Sequence, residues 1–274
     1  MNATATTTRV VSPPIGSAWF TTTATQVADR IRHRLVRSPQ TLGTAIVSAV
    51  VFLLMFRYVV GGAMGTDEIA YVDFLVPGFV VGGLLFTAGG NSVAVAEDAA
   101  GGVNDRLRSL PVSDVAVLSG RAFADTALTV LVAAVTFAVG VAVGFRPDTS
   151  VGHLALAAGL VVVFSFAIAW VFLWLGLVAG SAQAAQALGI LGVPFSFLSS
   201  AFVPVDTMPP VLEWFARYQP LSFVVDAVRG LTLGSVATDA SGESLTFEVV
   251  GSLIWSAVLI IVAVPLATRR YRRT

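Results

Sequence analysis

Cysteine is absent from the 274 residues, which excludes a disulfide framework, a thiolate nucleophile and a cysteine-based metal site. Lysine is absent too: all 16 basic residues are arginine. That removes the phosphate-loop lysine and Schiff-base chemistry, so the energy for any energised work would come from another chain. Charge is scarce. Only 12% of residues are charged, where a soluble domain carries about a quarter. With 56% hydrophobic residues and a mean hydropathy of +0.85, the chain is an integral membrane protein. Its apolar runs recur at roughly the 20 residues a hydrocarbon core requires, so the fold class is an all-α polytopic bundle. Glycine-rich phosphate loops, HExxH and Gly-x-Ser-x-Gly elbows are missing. No cofactor or metal is expected in this chain, and no nucleic-acid partner.

Residues 1–18, rich in Thr, Ala, Ser and Pro, read as a disordered tail. From Trp19 to Val36, Phe20, Val27, Ile31 and Leu35 share one helical face, apart from Asp29, Arg30 and Arg32, which predicts an interfacial amphipathic helix. Two readings of it stand: a basic flank that sets topology, or a helix that also touches a partner. Six spans follow, at about 41–62, 74–96, 115–144, 154–178, 184–203 and 249–267. Arg57 lies near the far end of the first, where it can snorkel. The second carries paired glycines at 82–83 and 89–90, which permit close helix contact, and Asn91, which either lines a pathway or bonds a neighbouring helix. In the third, Asp125 follows Arg121 by four residues and can pair with it.

Two stretches are neither span nor free loop. Between Glu97 and Arg121, Val103, Leu107 and Leu110 fall on one face of a short helix whose other positions include Asp105, Arg106 and Arg108; Pro111 ends it. Such an amphipathic helix suits docking against a partner. A carboxylate cluster of Glu97, Asp98 and Asp105 is the alternative, metal-binding reading; a solvated charged face accounts for it as well. From Pro204 to Gly234 the chain is proline-broken and aromatic, predicting two short helices at or dipping into the outer interface. Asp206 or Thr207 can cap the first, and Pro209 and Pro210 fit its opening turn. Pro220 separates the second, on which Asp226 and Arg229 are spaced to pair.

Arginine placement sets orientation. Arg30, Arg32, Arg34, Arg37, Arg106, Arg108, Arg121 and the terminal Arg269, Arg270, Arg272 and Arg273 fall on one side, leaving mainly Arg146, Arg217 and Arg229 opposite. The positive-inside rule puts the first set, and both termini, in the cytoplasm. His33 and His153 then lie on opposite membrane faces.

The run Gly102-Val103-Asn104-Asp105-Arg106-Leu107-Arg108-Ser109-Leu110-Pro111, followed by Gly120-Arg121 and Asp125, resembles the permease subunits of type-2 ABC export systems, especially the daunorubicin-resistance type. A second block supports the likeness: Phe197-Leu198-Ser199-Ser200-Ala201-Phe202-Val203-Pro204, Met208-Pro209, Pro220, and Asp226-Ala227-Val228-Arg229-Gly230-Leu231. The resemblance covers about residues 20–270. It implies a permease in the cell membrane that dimerises and binds two copies of a separate ATPase through the 103–110 helix. It also implies re-entrant helices, with Pro204, Asp206, Pro220, Asp226 and Arg229, closing the outer end of an export pathway for an amphipathic drug, antibiotic or lipid-like compound. Ala99-Ala100-Gly101-Gly102 departs from the family in lacking the basic residue often found there. A polysaccharide or glycolipid exporter is the runner-up within transport, and a membrane-embedded lipid-headgroup transferase the alternative from another class.

Overall fold

The computed structural model describes residues 39–60, 71–102, 114–234 and 243–273. The expected interfacial helix at 19–36 and the six docking residues Val103, Asp105, Arg106, Leu107, Arg108 and Leu110 lie outside them. Helices, with no strand, make up the regular structure of the described residues.

Helix α1, Pro39–Met55, runs into a π turn, Phe56–Val60. It is followed by α2, Tyr71–Ala100; α3, Asp114–Ala142; and α4, Val151–Ala179. The next apolar run is divided into α5, Ala182–Ile190, and α6, Gly192–Phe197. A 3₁₀ turn, Val205–Thr207, leads to α7, Pro210–Tyr218, and α8, Pro220–Leu233; α9, Leu245–Tyr271, completes the set. By length and composition α2, α3, α4 and α9 are long and apolar enough to cross a membrane, at 30, 29, 29 and 27 residues, while α1 is a shorter apolar helix.

The continuous fifth span expected at 184–203 is corrected to two short helices. Pro194 has no N–H to offer the carbonyl of Ile190, and its ring crowds that turn. Leu191 turns the chain instead, its N–H bonding back to Leu188, and α6 stops at Phe197.

Helix α2 is the pillar of the bundle, packed against α3, α4, α5 and α8. One core gathers Leu75, Val81 and Leu84 of α2 with Phe164 and Phe172 of α4, Phe202, and Val224 and Val228 of α8. A second joins Val95, Leu118, Trp170, Leu173 and Ala267 near the far end of α2.

The paired glycines of α2 divide their work. A Cβ on Gly78 would overlap the carbonyl oxygen of Ala201, one on Gly82 would press the Phe202 ring at 3.1 Å, and one on Gly89 would lie 3.3 Å from the Cα of Gly189. Their partners Gly83 and Gly90 have open space where a side chain would go. The first face lets α5 and the segment after α6 approach α2 at backbone distance. The second faces a cavity.

Candidate functional site

That cavity, about 510 Å³, lies between α1, α2, α3 and α6. Thr44, Ser48 and Phe52 line it from α1, Gly83, Thr87, Gly90 and Asn91 from α2, Leu128, Val132 and Thr136 from α3, and Val193 and Phe197 from α6. Among the described residues, none that lines it is ionisable. Asn91, the pathway candidate of the sequence, is therefore at the cavity wall.

One end of the cavity is closed by aromatic side chains from three separate segments. Phe56 sits at the start of the π turn, so the widened turn ends α1 at the residue that joins the cluster. Its ring centroid is 5.4 Å from Phe79, edge-on, and 5.6 Å from Phe202. Phe79 and Phe202 meet at 5.1 Å, Phe197 and Phe202 at 5.0 Å. Such edge and tilted pairs are the preferred aromatic geometries.

Above this aromatic end the residues expected as an outer gate come together in part. Arg229, 6% exposed, pairs with Asp226 at 2.8 Å and donates from Nη2 to the Ser200 carbonyl at 2.9 Å and the Phe74 carbonyl at 3.2 Å. Its guanidinium also stands over the Phe74 ring, 4.0 Å from the centroid. One side chain thus ties α8 to the first turn of α2 and to the chain leaving α6.

Two residues that the sequence reading did not single out complete the tie. Gln219, buried, donates its amide to the Leu198 carbonyl, and the Ser222 hydroxyl accepts the Ser200 N–H at 3.1 Å. Pro220 opens α8 between them as its first residue. Pro204 and Asp206 stand apart from this centre: the Pro204 carbonyl accepts the Thr207 hydroxyl at 2.7 Å, and Asp206 pairs with Arg217 at 2.8 Å on the exposed side. The expected cap from Asp206 or Thr207 is corrected, because both lie in the 3₁₀ turn and Pro209 is the N-cap of α7. Trp214 and Tyr218 project outward from α7.

At the opposite end, Arg121 pairs with Asp98 of α2 rather than with Asp125 as expected. Asp98 reaches it from another helix, whereas Asp125 is buried, 1% exposed. Asp114 pairs with Arg272 at 3.0 Å, and Arg270 donates to the Leu177 carbonyl at 3.2 Å. The residues on either side of 103–113 are therefore held, Asp98 by α3 and Asp114 by the end of α9. Among the described residues no three His, Cys, Asp or Glu side chains cluster as a metal site.

Long apolar helices packed around a cavity that none of the described residues lines with a charge are those of a multi-pass membrane protein. The ABC-2 type transporter family model matches residues 24–233, and the chain belongs to that family. It is 30% identical over 236 residues to the daunorubicin resistance ABC transporter permease protein DrrB1 of Streptomyces coeruleorubidus, covering 85% of this chain and 80% of the relative. It is 26% identical over 251 residues to the probable doxorubicin resistance ABC transporter permease protein DrrC of Mycobacterium tuberculosis, covering 89% and 86%. Both relatives are transport components.

Proposed function

We propose that this chain is the membrane subunit of an ATP-driven exporter that moves an amphipathic, drug-like or lipid-like compound out of the cell. The observation that carries the reading is the uncharged cavity seated beneath the Asp226–Arg229 tie in a chain of this family. The relatives' names, which are those of daunorubicin and doxorubicin resistance permeases, support a drug-like cargo. In this reading the chain crosses the cell membrane six times with both termini in the cytoplasm, α1 with its π turn and the α5–α6 pair supplying two crossings. Helices α7 and α8 close the outer end, and Arg229 holds them shut.

Power comes from two copies of a separate ATPase, which bind ATP and magnesium, and the permease works with a second permease copy. Val103, Leu107 and Leu110 enter a groove on the ATPase, and Asp105, Arg106 and Arg108 form the polar rim. The flanking pairs Asp98–Arg121 and Asp114–Arg272 pass force from that helix into α2, α3 and α9. Leu107→Asp tests the assignment, since an unpaired charge in an apolar groove costs well over about 2 kcal/mol. The variant is expected to accumulate in the membrane while losing export and the co-purifying ATPase together; Arg108→Ala does much less. Full ATPase recovery with Leu107→Asp would remove the coupling role.

A further inference from the structure

The four arginines that end α9 fall into two kinds. Arg270 donates to the Leu177 carbonyl and Arg272 pairs with Asp114, so both are engaged in holding α9 to its neighbours. Arg269 and Arg273 are exposed, and among the described residues neither guanidinium has an ion-pair or hydrogen-bond partner. The Arg272 and Arg273 N–H groups bond back to Thr268 and Arg270, which continues the last turn. Arg269 and Arg273, four residues apart, therefore lie on one side. An apolar stripe leads to them. Ile254, Val258, Ile261 and Pro265 precede Arg269 at intervals of four, three and four residues, and all are exposed. Only 17% of the most apolar stretch of α9 is buried, against 50–72% in α2, α3 and α4. From Ile254 to Pro265 the stripe is roughly 16 Å long at the helical rise, about half of a ~30 Å hydrocarbon core and so the depth of one acyl leaflet.

We propose that Arg269 and Arg273 clasp the phosphate of an anionic phospholipid whose acyl chains lie along this stripe of α9. Guanidinium groups match phosphate oxygens in charge and in geometry, whereas a zwitterionic lipid brings its own cation against the same pair. Like charge disfavours the other occupants. A second copy, related by a two-fold axis along the bilayer normal, would bring the same two arginines to the same depth. The segments 19–38 and 103–113 carry two aspartates against six arginines. The lipid site needs α9 to cross the bilayer; it needs neither the ATPase nor a cargo.

The test uses the full permease in phosphatidylcholine vesicles with a trace photoactivatable probe, either phosphatidylglycerol or phosphatidylcholine carrying a diazirine in one acyl chain. Adducts are mapped by peptide mass spectrometry. Phosphatidylglycerol is expected to label the Ile254–Pro265 stretch roughly 25-fold more strongly than phosphatidylcholine, at about fivefold for each arginine. Unlabelled phosphatidylglycerol should compete, and inorganic phosphate should not. Arg269→Gln and Arg273→Gln should each remove about fivefold of the preference, and in the double variant the two probes should label alike, with membrane abundance unchanged because both side chains are exposed. In this chain without cysteine, Ile261→Cys should form no disulfide between copies on oxidation. Equal labelling of α9 by the two probes overturns the proposal, as does a preference that survives the double variant or that inorganic phosphate abolishes. So does a phosphatidylglycerol excess spread evenly over the outward faces of α1 and α3, or an Ile261→Cys dimer. If the double variant fails to accumulate, the two probes on the unsubstituted protein still decide.

Discussion

Arg229 is a residue whose surroundings change what its spacing alone implies. As a simple ion pair, Asp226–Arg229 would be hurt more by losing one member than both, since a lone buried charge costs about 3–5 kcal/mol. The two are not equivalent, however, because Arg229 also supplies the Ser200 and Phe74 carbonyls and lies against the Phe74 ring. Arg229→Ala is expected to be the most damaging change at this end of the bundle, by several kcal/mol, and Asp226→Ala the milder. The double variant should recover only part of the Arg229→Ala loss, because the Ser200 carbonyl has still lost the Arg229 donor. Arg229→Lys should also fail to restore stability, a single ammonium being unable to span the fork. Thermal unfolding of the detergent-solubilised protein checks the order; equal losses for the two single variants, fully restored in the double, would reduce the site to an isolated pair.

For the elements, α2 and the α5–α6 pair give the sharpest contrast. Gly89→Leu forces a side chain into the Gly189 backbone, so folded yield should collapse. Gly90→Leu, one residue on, enters open cavity space and should leave the unfolding midpoint within about 0.5 kcal/mol of the original, as distant surface changes do. The glycine pairs were legible in the sequence as contact points; which member of each touches α5 or the segment after α6 was not, because that depends on the rotation of α2 within the bundle. Pro194 was equally visible, yet hydropathy alone runs through 184–203 without a stop, and only backbone geometry shows the break. Gln219 and Ser222 escaped notice because the backbone groups they satisfy lie 21 and 22 residues earlier in the chain. Arg121 offered a local partner in Asp125 at helical spacing, and packing of α2 against α3 chose Asp98, 23 residues away, instead. Local spacing predicts pairs within one helix; it carries no information on neighbours brought in by packing.

For the whole molecule, long apolar stretches made the helical membrane class readable from composition, and the arginine distribution predicts its orientation. Cysteine scanning tests the topology on a chain that has no native cysteine to remove. Ser150→Cys, at an exposed position before α4, should react with an impermeant thiol reagent outside intact cells, and Ser113→Cys only after the membrane is opened. The opposite pattern would invert the bundle and put the Arg229 tie on the cytoplasmic side. The central claim is that cargo passes through the cavity between α1, α2, α3 and α6, and Gly90→Leu tests it most directly, because the substitution enters open space in the cavity and leaves the packing of α2 against α5 untouched. Export is to be measured in cells that carry the permease with its ATPase, alongside membrane abundance and ATPase pull-down from the same sample. The account predicts export reduced at least about tenfold with abundance and ATPase recovery unchanged; export at the original rate through the Gly90→Leu variant would contradict it.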